Sequence, residues 1–289
     1  MEEKNKIQPS TLYLVGTPIG NLADISERAK KVLSEVDFIA AEDTRNTAKL
    51  LSCYGIKKEL VSYHEHNKRE GGERIIARLL TGESCALVTD AGMPAISDPG
   101  EDLVRLCADA GITVSVIPGA CAAVSALALS GLCTSKFVFE GFLSANKGER
   151  HRRLEEIKNE RRTIIFYEAP HKLKTTLSDL SDTYGAERKI TLCRELTKLN
   201  EEIIRTTIEN AVRIYTEKEP RGEYVLILEG ADEAGIAIKS NDGFADMSIE
   251  EHIEHYISEG FSKMDAIKKV AKDRGVPKSE IYNTVVRQE

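Results

Sequence analysis

The sequence predicts an α/β protein with one part built on a parallel sheet, a second on a mixed sheet, and a small all-helical appendage. Three observations predict it. Up to residue 118, short apolar runs alternate with helical patterns, the order that produces a parallel sheet. Four of those runs stop in loops rich in Gly, Pro or charge, and in a parallel sheet all four stops share one edge, where α/β proteins bind ligands. Beyond residue 137 the rhythm turns strand-rich and hairpin-like, and the segment after Met247 is helical throughout.

The first run, Thr11 to Gly16, reads as a strand and enters GTPIGNLADIS, where Gly16 and Gly20 bracket Thr17-Pro18-Ile19. The helix that follows (Ile25, Ala29, Val32, Leu33) has Asp24 or Ser26 as its cap. The glycine spacing is not G-x-G-x-x-G, GK[ST] is absent, and Pro18 carries no N–H. The loop therefore suits a nucleoside or other small molecule rather than a phosphate. Val36 to Asp43 is the second strand, ending in Glu42, Asp43, Thr44 and Arg45, either an exposed turn or part of a site. A helix from Thr47 to Cys53, a strand from Leu60 to His64, the polar loop HEHNKREGG and a helix from Glu73 to Leu80 come next. The buried run CALVTD then opens into LVTDAGMPAISDPG, Leu87 to Gly100. Its two Pro and two Gly fix an unusual backbone path with little side-chain bulk. It is longer and more rigid than an ordinary strand-to-helix connection. The last strand of this part, Ile112 to Ile117, turns at Pro118-Gly119 into a helix of small residues, Ala120 to Leu129. Small side chains there let a ligand or another backbone reach the amide donors at the helix start, and they serve tight core packing equally well.

In the second part FVFEGFL, Phe137 to Leu143, is a strand followed by SANKGERHRR. Lys147, Arg150, His151, Arg152 and Arg153 gather there, with Arg161 and Arg162 beyond the helix. The group is either a solvated helix face or a contact for an anionic partner. Thr163 to Pro170 is a strand ending in Tyr167, Glu168 and Pro170, and Lys189 to Leu196 is another carrying Arg194 and Glu195. EEIIRTTIENAVRIY gives a short strand and a helix, and Arg221 to Gly230 is a near-continuous apolar strand. Ala231 to Asp246 reads as a linker. In the tail Ile249, Ile253, Tyr256 and Ile257 form one apolar stripe, and a helix, a Gly-Val-Pro turn and a last helix opened by Lys278 or Ser279 follow. A helix-turn-helix and a three-helix bundle share that grammar. The expected division is 1–118, 119–232 and a helical module over 245–289.

Composition narrows the classes. With 289 residues, 41% hydrophobic and 30% charged, the chain has ample material for a core. No apolar run approaches membrane-spanning length and MEEKNKIQPS has no signal-peptide core, so a cytoplasmic protein without a membrane partner is expected. The net charge of −7 excludes a general nucleic-acid binder by bulk electrostatics and leaves local basic groups as the route to RNA. The six cysteines are scattered with no CxxC, and the histidines have no metal-like grouping, so neither a disulfide framework nor a metal site is expected.

The motifs LVGTPIGNLADIS, AAEDTR, LVTDAGMPAISDPG, VIPGACAAVSAL, FEGFL, FYEAPHKL, CRELTK and RGEYVLIL, in this order, closely resemble the small-subunit ribosomal RNA methyltransferase I family of the tetrapyrrole methylase-like superfamily. The match runs from about Thr11 to Gly230, and the tail is similar to the family's C-terminal appendage. The resemblance implies two α/β domains with S-adenosylmethionine between them, usually in a homodimer. It implies methyl transfer to the ribose 2′-hydroxyl of a decoding-centre cytidine of 16S rRNA, in the assembled small ribosomal subunit. Where tetrapyrrole methylases proper often carry G-D-P, this chain has Gly92-Met93-Pro94, which makes a corrin or uroporphyrinogen substrate the lesser expectation. Carried over by residue, the cofactor contacts are Pro18, Asp90, Ala91, Gly92, Pro94, Ala120, Cys121, Ala122, Tyr167, Glu168, Gly222 and Glu223.

Methyl transfer from a sulfonium is an in-line displacement, so positioning carries much of it, and a ribose hydroxyl needs its proton drawn off as the new bond forms. Glu42, Asp43, Asp98 and Glu168 are the candidate bases, all at strand ends on the cleft edge. Arg45 and Arg194 are candidates for a flanking phosphate, beside Lys147, Arg150, Arg152 and Arg153. Each of these also fits a structural ion pair. The rival readings are a tetrapyrrole methyltransferase, which would want an aromatic trough in a chain with 6% aromatics and no Trp, and a non-catalytic RNA-binding assembly factor.

Overall fold

A computed structural model describes residues 6–231, 247–274, 276, 278, 281 and 282. The first sheet holds β1 (Thr11–Val15), β2 (Phe38–Ala41), β3 (Glu59–Ser62), β4 (Cys85–Val88) and β5 (Thr113–Ile117). All pair in parallel, in the order β3-β2-β4-β1-β5. Period-two alternation sends Tyr13, Val15, Ile39 and Ala41 to one face, with Ala29, Val32 and Leu33 of α1 (Glu27–Glu35). Leu12, Phe38, Ala40 and Leu87 go to the other, against Ile75 and Leu79 of α3 (Lys68–Leu80) and Leu103 of α4 (Gly100–Asp109). Helices on both faces bury β2 and β4 completely, which is why those strands are continuous apolar runs.

Ser26, not Asp24, caps α1, accepting from the Ala29 N–H at 3.1 Å. Two helices start earlier than the apolar periodicity places them. Asp43 accepts the Arg45 N–H at 2.8 Å and so opens α2 (Thr44–Cys53) one turn sooner. α3 begins at Lys68 and runs through Gly71 and Gly72. A Cβ on Gly72 would stand 2.8 Å from the Leu106 Cδ1, so packing outweighs the poor helix propensity of glycine.

The second sheet is mixed: β6 (Phe137–Phe142), β7 (Thr163–Glu168), β10 (Tyr224–Leu228), β8 (Lys189–Arg194) and β9 (Glu202–Thr207), in that order. Only β6 and β7 are parallel. α6 (Lys147–Glu156), α7 (Pro170–Tyr184) and α8 (Ile208–Glu217) cover one face. The other face takes Ala123, Ala126 and Leu127 of α5 (Ala122–Ser130) against Ile165, Cys193, Val225 and Ile227. The small-residue helix thus serves core packing, and its first turn still lies at the cleft.

In the tail, α9 (Ile249–Ser258) opens with a reciprocal Ser248–Glu251 capping box and packs on α10 (Lys263–Asp273) through Ile253, Ala266, Ile267 and Val270. Ile257 is 42% exposed and drops out of the expected stripe. The Lys269 ammonium lies 4.1 Å from the Phe261 ring centroid and 4.8 Å from that of Tyr256. The linker over 232–246 and the start of the last helix at Ser279 lie outside the described residues. Among those described, no helix is long and apolar enough to cross a membrane.

Three loops of the first sheet are tied together at its carboxyl edge. Thr17 and Gly92 exchange backbone hydrogen bonds, Thr17 N–H to Gly92 O at 2.9 Å and Gly92 N–H to Thr17 O at 3.1 Å. The Gly119 N–H donates to the Met93 Sδ at 3.3 Å. Gly16 and Gly119 cross backbone against backbone: a Cβ on Gly119 would lie 2.8 Å from the Gly16 Cα. Gly119→Ala should therefore cost about 1–3 kcal/mol of unfolding free energy, because neither backbone can retreat. Gly148→Ala, in the exposed first turn of α6, should stabilise by up to about 1 kcal/mol. Urea midpoints that shift together would show that the crossing is not tight.

Candidate functional site

A cavity of about 650 Å³ lies where the carboxyl edge of the first sheet meets the second. One wall is the β4 loop (Asp90, Ala91, Gly92, Met93, Ser97, Asp98), with Glu42 and Thr89 behind it and Ile19 from the β1 loop. Cys121 and Ala122 contribute the start of α5. The opposite wall comes from the strand ends of the second sheet: Phe142, Tyr167, Glu168, Glu195, Lys198, Glu223 and Tyr224. Its size is that of a small-molecule site, and small residues on the first wall let a ligand approach the backbone.

Tyr167 is fixed by its neighbours. The Ala123 N–H donates to its hydroxyl at 3.1 Å, and Phe139 and Phe142 meet its ring edge-on at 5.0 and 5.5 Å. Burial pushes its hydroxyl up to about 12, so it stays protonated and can donate to a ligand.

Each carboxylate has a distinct setting. Glu168 is 2% exposed and fully engaged, accepting from the Ala169 N–H at 2.8 Å and the Thr176 hydroxyl at 2.5 Å. Asp98 Oδ1 accepts the N–H groups of Ala95 at 3.0 Å and Gly100 at 2.7 Å, while its Oδ2 is buried with no hydrogen-bond partner. Glu42 accepts from the Thr89 hydroxyl at 2.7 Å. Asp90 accepts from the Asn46 amide at 3.3 Å. Its carboxyl stands above the ordinary range, first because surrounding protein strips water from it and also through the Glu42 charge. Lys198, the one lysine on the wall among the described residues, is shared by Glu195 and Glu223 at 2.8 Å each. The carboxylates outnumber the cations, so the cavity favours a positively charged ligand.

The walls are strained. Ala95 and Ser97 in the β4 loop and Glu195 and Thr197 after β8 have φ between 52° and 66°, in the left-handed region. Gly92 (φ 84°) belongs to the first of these loops, and Gly222 (φ 78°), just before β10, packs against the second: a Cβ on Gly222 would collide with the Glu195 side chain at 2.4 Å.

Of the residues nominated from the sequence, Glu42, Asp90, Ala91, Gly92, Asp98, Cys121, Ala122, Tyr167, Glu168 and Glu223 line this cavity. Pro94, Ala120 and Gly222 are not among its lining residues. Pro18 lies elsewhere, in an adjoining cavity of about 260 Å³ with Leu22, Asn46, Lys49, Leu50, Thr89 and Asp90. Asp43 faces neither cavity: Arg45 holds it with two hydrogen bonds, at 3.1 and 2.7 Å, which keeps its carboxyl well below the usual range.

The basic group is not one surface. Arg150 is 7% exposed, its Nε on the Asp179 Oδ2 at 2.5 Å and its NH1 on the Ser144 and Ala145 carbonyls, so it braces α6 against α7 and is not presented to an outside anion. Arg153 grips Glu140 with two bonds, at 2.8 and 2.9 Å, and Arg194 is bound to Glu202 and the Arg221 carbonyl. Lys147 and Arg152 remain exposed on α6. Sequence reasoning missed Phe142, Met93, Ser97 and Lys198 on the walls. FEGFL carried a signal for Phe142, because its bulge at Gly141 re-aims the strand end toward the cleft.

Known proteins resemble this chain in sequence and in fold. The family model described as Tetrapyrrole (Corrin/Porphyrin) Methylases matches residues 11–212. A protein of Halalkalibacterium halodurans named ribosomal RNA small subunit methyltransferase I is 52% identical, over 94% of this chain and 93% of that one. One of the same name from Bacillus subtilis is 47% identical over 98% and 96%. Among solved structures, a Thermus thermophilus uroporphyrin-III C-methyl transferase complexed with S-adenosyl homocysteine superposes with a TM-score of 0.54 at 19% identity, covering 76% of this chain and 97% of that one. A diphthine synthase does so at 0.58 and 15%, covering 76% and 90%. At such identities these two likenesses concern the fold alone.

The contrast within the basic group is measurable. Arg150→Ala leaves buried Asp179 with only the His151 Nε2, at 2.9 Å, beside it and should cost about 3–5 kcal/mol. Arg152→Ala, at the surface, should stay within about 0.5 kcal/mol of the parent. Similar denaturation midpoints for the two would return Arg150 to the solvent-facing group.

Proposed function

The chain belongs to the ribosomal RNA small subunit methyltransferase I family of tetrapyrrole methylases, and from that premise we propose that it transfers a methyl group from S-adenosylmethionine to ribosomal RNA. The finer reading is methylation of the ribose 2′-hydroxyl of a decoding-centre cytidine in 16S rRNA, on the assembled small subunit, by a homodimer. The observation that carries it is the acid-lined cavity at the carboxyl edge of the parallel sheet, in a chain related along nearly its whole length to proteins of that name.

S-adenosylmethionine, when bound, supplies an electrophilic methyl on a cationic sulfonium. Ala91, Gly92, Cys121 and Ala122 would admit it against the backbone, Tyr167 would offer its hydroxyl, and the carboxylates would offset its charge. Fixed loops hold the reacting groups in line, where orientation is worth several kcal/mol of barrier. An acidic cavity repels phosphates, so only one nucleoside of the RNA should enter while its flanking phosphates stay at the rim. For those phosphates we retain exposed Lys147 and Arg152, and Arg45, which is exposed although paired with Asp43.

Incubation with labelled S-adenosylmethionine and unmethylated small subunits should place the label on one cytidine 2′-oxygen. Label on a base, or only on an added porphyrinoid, would overturn the reading. Binding of the cofactor without turnover would favour an assembly factor. Truncation at Asp242 should leave cofactor affinity near that of the full chain and reduce methylation of subunits. Full activity would make the tail dispensable.

A further inference from the structure

Two cavities share one wall. The larger is the proposed cofactor site, and the smaller, about 260 Å³, lies between the β1 loop and α2. Thr89 and Asp90 are the residues that line both. A methyl transfer needs exactly such a junction in chemical terms: donor on one side, acceptor oxygen on the other, and a proton acceptor within hydrogen-bond reach of that oxygen. Resting on the methyltransferase reading, we propose that the smaller cavity receives the target nucleoside and that Asp90 takes the proton from its ribose hydroxyl.

The lining of the smaller cavity fits a nucleoside. Pro18, Leu22 and Leu50 give apolar surface for the base or sugar faces, the Asn46 amide offers donors and an acceptor, and the exposed Lys49 brings an ammonium for a flanking phosphate. It is too small for a porphyrinoid ring.

The other carboxylates are committed. Glu168 uses both oxygens on Ala169 and Thr176. Asp98 spends Oδ1 on two backbone N–H groups, and its Oδ2 is closed off from solvent. Asp43 is clamped by Arg45 and lines neither cavity, and Glu42 lines only the larger one. Asp90 is exposed toward the cavities, and desolvation followed by the Glu42 charge raises its proton affinity, which suits a base. The Asn46 amide, one turn into α2, positions it.

The step balances. The hydroxyl oxygen forms a bond to the methyl carbon, the carbon–sulfur bond breaks with its electron pair going to sulfur, and the hydroxyl proton passes to the Asp90 carboxylate. The products are the ribose methyl ether, a neutral thioether and a carboxylic acid that releases its proton to water.

Asp90→Asn tests the base and Leu50→Trp tests the cavity, both on the full chain with folding checked by circular dichroism. Because Asp90 also lines the cofactor cavity, the Asp90→Asn rate is measured at saturating S-adenosylmethionine, with saturation established by calorimetry. The single-turnover rate on unmethylated small subunits should fall by about 10²–10⁴. The parent's rate should decline at low pH as Asp90 protonates, and the residual rate of the variant should lose that limb. Leu50→Trp should keep the cofactor affinity and raise the KM for subunits at least tenfold. A full rate in Asp90→Asn, or a rate loss that saturating S-adenosylmethionine restores, overturns the base. An unchanged KM in Leu50→Trp overturns the nucleoside site. Failure of the parent chain to methylate subunits at all would instead overturn the methyltransferase reading on rRNA.

Discussion

The contact between Gly16 and Gly119 is the constraint on which the site depends. Two strands of a parallel sheet end side by side, and their loops can cross at van der Waals distance only if neither carries a side chain. That crossing brings Met93 against the Gly119 N–H and sets Thr17 opposite Gly92. The β4 loop is thereby fixed from two sides, and the same turn starts α5 with Cys121 and Ala122 at the cavity. A backbone shift here would move both small-residue edges at once.

Charge is distributed to match. The cavity collects carboxylates, and three arginines that would make the exterior basic are paired instead, with Asp179, Glu140 and Glu202. The buried pair among them, Arg150–Asp179, contributes little net stability against an apolar alternative, yet losing one partner is expensive. The three pairs set the geometry of α6 and β8 rather than the surface potential. With a chain of net charge −7, attraction of RNA falls to a few exposed cations and to shape.

The parallel sheet, the mixed sheet and the edge that carries the cavity were legible because they follow from local periodicity and from Gly and Pro, whose conformational limits act within a few residues. Contacts across the cleft were not. Arg150 and Arg152 are indistinguishable in sequence, and only the docking of α6 on α7 turns one inward to Asp179. Pro18 sits in the expected loop but faces the neighbouring cavity. Lys198 and Phe142 reach the cavity only after the second sheet has folded. The early start of α3 was hidden by Gly71 and Gly72, whose poor propensity is overridden by Tyr63 and Leu106.

The strain in the walls shows how the two halves depend on each other. Each non-glycine residue with positive φ costs about 1–2 kcal/mol, and Ala95, Ser97, Glu195 and Thr197 all face or flank the cavity. Local bonds hold them in part: Asp98 to Ala95, and Glu195 to Lys198 and the Glu223 N–H. The remaining restraint comes from across the cleft. Gly141 of the second sheet leaves room for the Ser97 side chain, and Gly20 of the first part leaves room for Lys198 and Thr197. The Thr197 hydroxyl accepts the Asn21 N–H at 3.1 Å. Each strained loop is therefore completed by a glycine of the opposite half, and the cavity acquires its shape when the two sheets dock. Preorganisation of that kind is set before any ligand arrives, which reduces the ordering cost left to binding.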